Sequence, residues 1–308
     1  MAARGEHNSG GGRAGMAALV LLLLMGLMWG LQAAMLKLAA RSGLGDLTVL
    51  IYALLLLSVA FLAISALRGE LYRPRAGVIW FLLVTAVIGY VIPLLAALYA
   101  ASELSAGLLA IIGSMAPVVA VTVALFFRVE RVSPRRLAAV VLGVVSIAII
   151  LLPEADLPGY GMLIWMLAAL VVPLCYGAES VYIARFWPAG LSPLQVVTGE
   201  TVMAALLVAP VFLWQGTALP AGAATGDAVI AIAVFALAGV IESLIYFHLI
   251  RVTGAVFVNF ATFVSLFAGI GWGIVLFGES HAAMIWLAVL VLAGALYLAV
   301  REGPGSHA

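Results

Sequence analysis

The chain has 308 residues, of which 66% are hydrophobic and 9% are charged, with a formal net charge of +1. A soluble domain carries about 25% charged residues and about half apolar ones, so this composition excludes a soluble enzyme, a nucleic-acid-binding protein and a disordered protein. Cys175, the single cysteine, lies in an apolar run, and no Cys or His spacing suggests a metal site. We therefore expect no disulfide, no metal and no cofactor.

Ten apolar segments are each long enough to cross a bilayer as a helix, which needs about 20 apolar residues. Residues 1–15 are polar and Gly-rich, which predicts a disordered tail. The first five predicted spans, within residues 16–152, are Met16–Ala39, Leu47–Leu67, Ala76–Ala100, Leu104–Phe127 and Pro134–Leu152. After a linker at residues 153–160, the other five, within residues 161–300, are Gly161–Ala184, Pro193–Trp214, Ala228–Ile250, Gly254–Phe277 and His281–Val300. Residues 301–308 form a second tail.

Lys and Arg residues are distributed unequally between the two sides that ten spans define. The side that holds both termini has twelve of them, whereas the other side has only Lys37 and Arg41. Because basic residues concentrate on the cytoplasmic side of a membrane, we expect both termini to lie in the cytoplasm.

Spans one to five resemble spans six to ten. The segment Trp29-Gly30-Leu31-Gln32 in the first span reappears as Tyr176-Gly177-Ala178-Glu179 in the sixth, and Ala106–Glu130 aligns without gaps on Ala255–Glu279. Five is an odd number, so the second copy enters the bilayer from the opposite side. The sequence therefore predicts an all-α integral membrane fold of ten transmembrane helices, arranged as two inverted five-helix repeats, which is typical of secondary transporters.

Several short motifs occur in the order typical of one transporter family. They are Met28-Trp29-Gly30 with Lys37, the segment 101–108 that opens the fourth span, and the run 130–137 that leads into the fifth. The chain resembles the EamA branch of the drug/metabolite transporter superfamily, and in overall character it is similar to bacterial exporters of aromatic amino acids. The resemblance implies a location in the bacterial inner membrane and a central cavity lined by spans 1, 3, 4, 6, 8 and 9.

Acidic residues inside apolar spans are costly and usually mark a pathway. Glu179 and Glu242 each share a helix face with an aromatic residue, Tyr176 and Tyr246 respectively. Two interpretations stay open. The acids form ion pairs near the cytoplasmic end of the bundle, or they line a polar vestibule that binds a substrate amine or a proton. A third acid, Glu200, has less weight because the seventh span is peripheral in the resembled fold.

The other residues predicted to line the cavity carry an aromatic ring, an amide or a hydroxyl group: Trp29, Gln32, Tyr90, Tyr99, Asn259 and Thr262. For Asn259 and Thr262 a simple bridge between helices is an equal alternative. Lys37 and Glu103 lie at the outer face and form a hypothetical gate. Arg185 and Arg251 lie near the inverted counterparts of these positions, and a matching inner pair with Glu179 would follow from the pseudo-symmetry.

The function that these features favour is secondary transport. The resemblance implies export of small metabolites, amino acids first among them, with proton coupling left open. The alternative is a multidrug or quaternary-cation efflux pump, because acids and aromatic rings also suit cations. A membrane enzyme would need clustered catalytic groups, and the chain has only four histidines, three of them (His7, His281 and His307) in tail or loop positions. The expected partners are a small-molecule substrate and the lipid bilayer.

Overall fold

The computed structural model describes residues 7–41, 44–101, 112–151, 163–215 and 226–277, with a few isolated residues between 287 and 298. The elements of the first half are α1 (His7–Arg41), α2 (Asp46–Leu67), α3 (Ala76–Thr85), a π-helical turn (Ala86–Val91), α4 (Ile92–Ala101), α5 (Ala116–Phe126) and α6 (Pro134–Leu151). Those of the second half are α7 (Leu163–Phe186), α8 (Pro193–Gln215), α9 (Gly226–Thr253), α10 (Ala255–Val258) and α11 (Ala261–Phe277).

Seven helical stretches within the described ranges are long and apolar enough to cross a membrane. They coincide with predicted spans one to three and six to nine, so the prediction of an all-helical membrane fold is confirmed to that extent. The fourth span lies partly outside the described residues and the tenth mostly so, and the count of ten stays a prediction.

The first helix is longer than the apolar segment that predicts it. It begins at His7, whereas the sequence predicts disorder over residues 1–15. Adding residues to an existing helix avoids the cost of nucleation, so polar residues before an apolar span extend it. The predicted disorder is therefore wrong for residues 7–15.

The predicted third span is not one regular helix. Its centre is a π-helical turn that ends two residues before Pro93. A proline inside a helix lacks an N–H group and its ring clashes with the carbonyl four residues earlier, which here belongs to Gly89. A wider π-helical turn relieves this clash, and Gly89 becomes buried inside the turn.

The predicted fourth and ninth spans are also interrupted. A turn at residues 114–115 precedes α5, in which Pro117 occupies the first helical turn, where its missing N–H costs nothing. The ninth span starts after Gly254, whose φ of 91° favours glycine. It is then divided into α10 and α11 by a turn at residues 259–260.

The long helices of each half pack against helices of the other half. Helix α1 lies against α9 and α11, whereas α7 lies against α4 and α5, and α2 packs on α8. Two glycines allow close approaches between these helices. A Cβ atom on Gly30 would lie 2.5 Å from Cβ of Ala268, and one on Gly177 would lie 2.7 Å from Cβ of Val119. Side chains at these two positions would therefore separate the helices.

Polar contacts hold two of the loops that connect the helices. At the start of α8, the Ser192 and Gln195 side chains form a capping box with each other's backbone N–H groups, at 3.2 and 3.0 Å. Beside α6, the buried Glu130 carboxylate accepts a hydrogen bond from Val256 N–H at 2.8 Å and lies 3.8 Å from the Arg136 guanidinium. These contacts fix the helix ends around the interior.

Candidate functional site

Three acidic side chains from consecutive helices lie inside the helix bundle. Glu179 of α7, Glu200 of α8 and Glu242 of α9 are only 5%, 1% and 8% exposed. Each lies at least seven residues from the nearer end of its helix, which corresponds to roughly 10 Å or more along the axis at 1.5 Å per residue. Carboxyl groups at this depth are removed from water at both membrane faces.

Glu242 is surrounded by hydrogen-bond donors. The indole Nε1–H of Trp29 donates to its Oε2 atom at 2.7 Å, and the Ser243 hydroxyl donates to Oε1 at 2.9 Å. The Tyr90 hydroxyl lies 3.3 Å from the same Ser243 oxygen. Both carboxyl oxygens of Glu242 therefore accept a hydrogen bond, which offsets part of the cost of burying a charge there.

Glu179 and Glu200 contact each other where α7, α8 and the π-helical turn meet. Their side chains are hydrogen-bonding neighbours, and both direct an Oε1 atom to the place where a Cβ on Gly89 would be. The Tyr246 hydroxyl donates to Oε2 of Glu179 at 3.1 Å, and Thr85 lies within reach of Glu200. Oε1 of Glu200 is buried without a hydrogen-bond donor. Each carboxyl of this pair therefore has fewer donors than Glu242.

Aromatic rings form the side of the cluster nearest α1. The Trp29 and Tyr176 rings are stacked, with centroids 6.4 Å apart and an interplanar angle of 18°, and the Tyr246 ring lies 6.3 Å from Trp29. These faces carry partial negative charge and attract cations. The structure thus brings together five residues that the sequence analysis singles out: Trp29, Tyr176, Glu179, Glu242 and Tyr246.

The two arginines expected to pair with the acids lie over aromatic rings. Arg185 and Arg251 are exposed, and their guanidinium groups lie over the rings of Phe186 and Trp187 at 5.3 and 5.1 Å. Both arginines belong to the last turns of their helices, where long basic side chains reach water. Within the described ranges, no Lys or Arg contacts the three acids, and an inner pair between Arg185 and Glu179 stays a prediction.

The sequence of residues 16–152 matches the model of the EamA-like transporter family. Over this range, which is less than half of the chain, the sequence is similar to that family. The fold is similar to that of a protein in a crystal structure, with a TM-score of 0.75 and 16% sequence identity, over 93% of this chain and 99% of the other. A comparison with curated protein sequences finds no match. The family match indicates a membrane transporter rather than an enzyme, and the resemblance drawn from the sequence motifs is confirmed.

Other predicted site residues take separate positions. Gln32 donates to the carbonyl of Phe235 at 3.3 Å, and Asn259 donates to Ser180 Oγ at 2.7 Å and to the Ala255 carbonyl at 2.8 Å. These contacts fit the interpretation of Asn259 as a bridge between α7 and the ninth span. Thr262 donates to the Asn259 carbonyl in the turn that precedes α11.

Two further predictions have different outcomes. Tyr99 is half exposed, and its ring pairs with Trp165 at 4.3 Å instead of joining the acids. Glu103 and the side chain of Lys37 lie outside the described residues, so the hypothetical outer gate stays a prediction. Among described residues, no group of three or more His, Cys, Asp or Glu side chains has a geometry suited to a metal ion.

Sequence reasoning gave too little weight to Glu200 and missed Ser243 and Gly89. Glu200 contacts Glu179 although α8 was expected to be peripheral. A signal exists in the sequence, since Thr198-Gly199-Glu200-Thr201 is a polar group inside an otherwise apolar span and such residues usually face the protein interior. The role of Gly89 depends on the π-helical turn, which the sequence alone does not predict.

Proposed function

We propose that this chain is a secondary transporter that exports small metabolites with an ammonium group, by alternating access to the cluster of Glu179, Glu200 and Glu242. The observation that carries this proposal is a set of three buried carboxyls beside aromatic rings, with no Lys or Arg contact in the described part of the chain. A structural cluster of acids would be expected to include its cations, because buried charges are normally paired.

The cost of unpaired charge explains what the cluster binds. An isolated carboxylate away from water is strongly unfavourable, so the three acids gain stability from a positively charged ligand or from protons. An ammonium group interacts favourably with both the acids and the aromatic rings of the site. It forms an ion pair with Glu242 and interacts with the faces of Trp29 and Tyr176 by cation–π attraction, which is worth roughly 2 kcal/mol when water is excluded.

Alternating access needs two structural units that rock against each other, and the helix contacts support an inverted repeat. In the sequence alignment of the halves, Gly30 corresponds to Gly177 and Ala268 corresponds to Val119. The close approach of Gly30 to Ala268 therefore has an equivalent in that of Gly177 to Val119. The same relation links the packing of α1 on α9 and α11 with the packing of α7 on α4 and α5.

The stacked rings add a second argument for this symmetry. Trp29 and Tyr176 occupy corresponding positions of the two repeats, and their rings lie against each other. Two equivalent residues meet only close to the axis that relates them. In inverted-repeat transporters the substrate site lies near that axis at the bilayer midplane, which is where we infer that the ammonium group binds.

The substrate class follows from what the cluster has and lacks. An amino acid would bring an α-carboxylate as well as an ammonium group, and a carboxylate needs a cation or several donors. No basic side chain contacts the cluster within the described ranges, and the N–H of Trp29 and the hydroxyl of Ser243 already donate to Glu242. This observation favours amines and organic cations, the second candidate, over free amino acids.

Competition against bound, labelled phenethylamine on purified protein tests this proposal with four related unlabelled compounds. Phenethylamine, phenylalanine, N-acetylphenylalanine and a trimethylated phenethylammonium share the aromatic group and differ in charge at nitrogen and in the carboxylate. We expect the two compounds with a cationic nitrogen and no carboxylate to compete best, and the N-acetyl compound not to compete. Equal competition by the N-acetyl compound would overturn the proposed recognition of ammonium. Stronger competition by phenylalanine than by phenethylamine would make amino acids the substrates.

The location in the membrane is also part of the proposal. We place both termini in the cytoplasm of a bacterial cell, because twelve Lys and Arg residues lie on their side of a ten-span topology. Accessibility of single cysteines introduced near each end tests this arrangement, for which a cysteine-free Cys175→Ser background is available. Labelling of either end from the outside would contradict it.

A further inference from the structure

The pair formed by Glu179 and Glu200 differs in its environment from Glu242. Both side chains of the pair are almost fully buried, at 5% and 1% exposure, and they are hydrogen-bonding neighbours. A hydrogen bond between two carboxyl groups requires a proton on one of them. Oε1 of Glu200 has no donor from any described residue, and such a proton would be the donor that the pair lacks.

The groups around the pair add negative charge or stay neutral. Titratable side chains that face it come from α7 itself, from α9 and from the π-helical turn: Tyr176, Cys175, Glu242, Tyr246 and Tyr90. None of these is a cation. Two carboxylates that share a site cannot both ionise without a large electrostatic cost, so they titrate together and hold one proton between them.

We propose that Glu179 and Glu200 form a proton-binding site that is separate from the ammonium site at Glu242. This inference rests on the proposed transport function and adds the coupling ion to it. Glu242 has two donors that stabilise an anion, whereas the pair is arranged to share a proton. Uptake of a proton by the pair removes negative charge close to Glu242, which weakens binding of a cation there. Occupation of the two sites is therefore antagonistic, as proton-driven export requires.

Among the described residues, the second repeat holds this pair of acids and the first repeat holds no equivalent pair. A Cβ atom on Gly89 of the π-helical turn would lie against the oxygens of Glu179 and Glu200, whereas one on Gly239 of α9 would lie 3.0 Å from the Gln32 amide nitrogen and 2.8 Å from a Leu57 methyl. Gln32 is the counterpart of Glu179 in the repeat alignment. The first half thus has an amide and an alkyl group where the second half has two acids, and we expect one coupling site in each chain.

Two transport assays in proteoliposomes separate proton coupling from substrate binding. Exchange of labelled phenethylamine against unlabelled amine needs no net proton movement, whereas accumulation driven by a pH gradient does. We expect Glu179→Gln and Glu200→Gln to lose at least tenfold more in gradient-driven accumulation than in exchange. We expect Glu242→Gln to lose both activities. Gradient-driven accumulation at the wild-type level in both pair variants would overturn the proton site.

A matched pair of glycine variants tests the geometry without changing any acid. Gly89→Ala places a methyl group against both carboxyls, and Gly239→Ala places the same methyl group against Gln32 and Leu57. We expect only Gly89→Ala to lose gradient-driven accumulation more than exchange. If both variants lose the two activities in equal proportion, the pair has no special role in coupling and the proposal fails.

Infrared spectroscopy provides a measurement that does not depend on transport. A protonated carboxyl group has a carbonyl band that carboxylates lack, and we expect such a band in the wild type at neutral pH and its loss in both pair variants. Its absence from the wild type would overturn the shared proton. These results are distinguishable from failure of the proposed function, in which wild-type protein neither binds nor exchanges any of the amines.

Discussion

Replacing Glu242 by glutamine removes one negative charge and leaves the shape of the side chain almost unchanged. The glutamine oxygen still accepts the hydrogen bond that Trp29 makes at 2.7 Å, so the stacked rings need not move. Loss of one partner from a buried charge pair costs about 2–5 kcal/mol. At 1.4 kcal/mol for each factor of ten, the dissociation constant of phenethylamine is expected to rise roughly 30-fold to several thousand-fold.

Isothermal titration calorimetry on purified protein measures this change. Asp227→Asn is the matched control, because Asp227 lies on the same helix as Glu242 but is exposed in its first turn. The control should bind phenethylamine as the wild type does. A dissociation constant for Glu242→Gln within threefold of the wild-type value would refute the assignment of Glu242 as the ammonium ligand.

The same variant separates a binding role from a structural one by the sign of its effect on stability. If Glu242 held the bundle together through an ion pair, its neutralisation would leave a buried cation and cost about 3–5 kcal/mol. In our account Glu242 has no cation in contact among the described residues, so neutralisation removes an unfavourable charge. The melting temperature of ligand-free Glu242→Gln should equal or exceed that of the wild type, and a clear decrease would favour the ion pair.

Three further predictions concern the scaffold. Gly30→Ala and Gly177→Ala each add a methyl group, which would lie 2.5 and 2.7 Å from a side chain on the facing helix. Both variants should lose about 1–3 kcal/mol of unfolding free energy because of overpacking. A loss in only one of them would contradict the equivalence of the two glycines. Glu130→Gln should lose about 3 kcal/mol of unfolding free energy, because the charged Arg136 side chain stays buried. The double variant with Arg136→Gln should recover part of this stability, as measured by thermal unfolding. Ser192→Ala should cost about 1 kcal/mol through loss of the helix cap, whereas Ser192→Thr should not, as measured by chemical denaturation.

The positions of the membrane helices follow closely from the sequence, because hydropathy alone determines which segments leave water. Helices such as α8 and α9 are apolar on nearly every face, so their sequences do not indicate which face meets the protein and which meets lipid. Glu200 was given less weight because the seventh span is peripheral in the resembled fold, and its uniformly apolar helix indicated no inward face that would have argued otherwise. Its side chain points inward toward Glu179, and only the packing of α8 against the π-helical turn and α2 determines that direction.

The repeat pattern predicted which residues correspond but not which of them touch. The alignment of Trp29 with Tyr176 is visible in the sequence, whereas their stacking depends on how α1 and α7 approach the axis between the repeats. The ring contacts of the two arginines were not predicted, for a related reason. Arg185 and Arg251 were close to the acids in sequence, but at the helix ends water and aromatic rings compete for their guanidinium groups.

The central claim is that the buried acids bind a cation that the protein carries across the membrane. Counterflow of labelled phenethylamine into proteoliposomes loaded with unlabelled amine tests it most directly. The account predicts a transient accumulation of label above its equilibrium level in vesicles with wild-type protein, which disappears in Glu242→Gln. Entry of label at the same rate in wild-type, Glu242→Gln and protein-free vesicles, without accumulation, would contradict it.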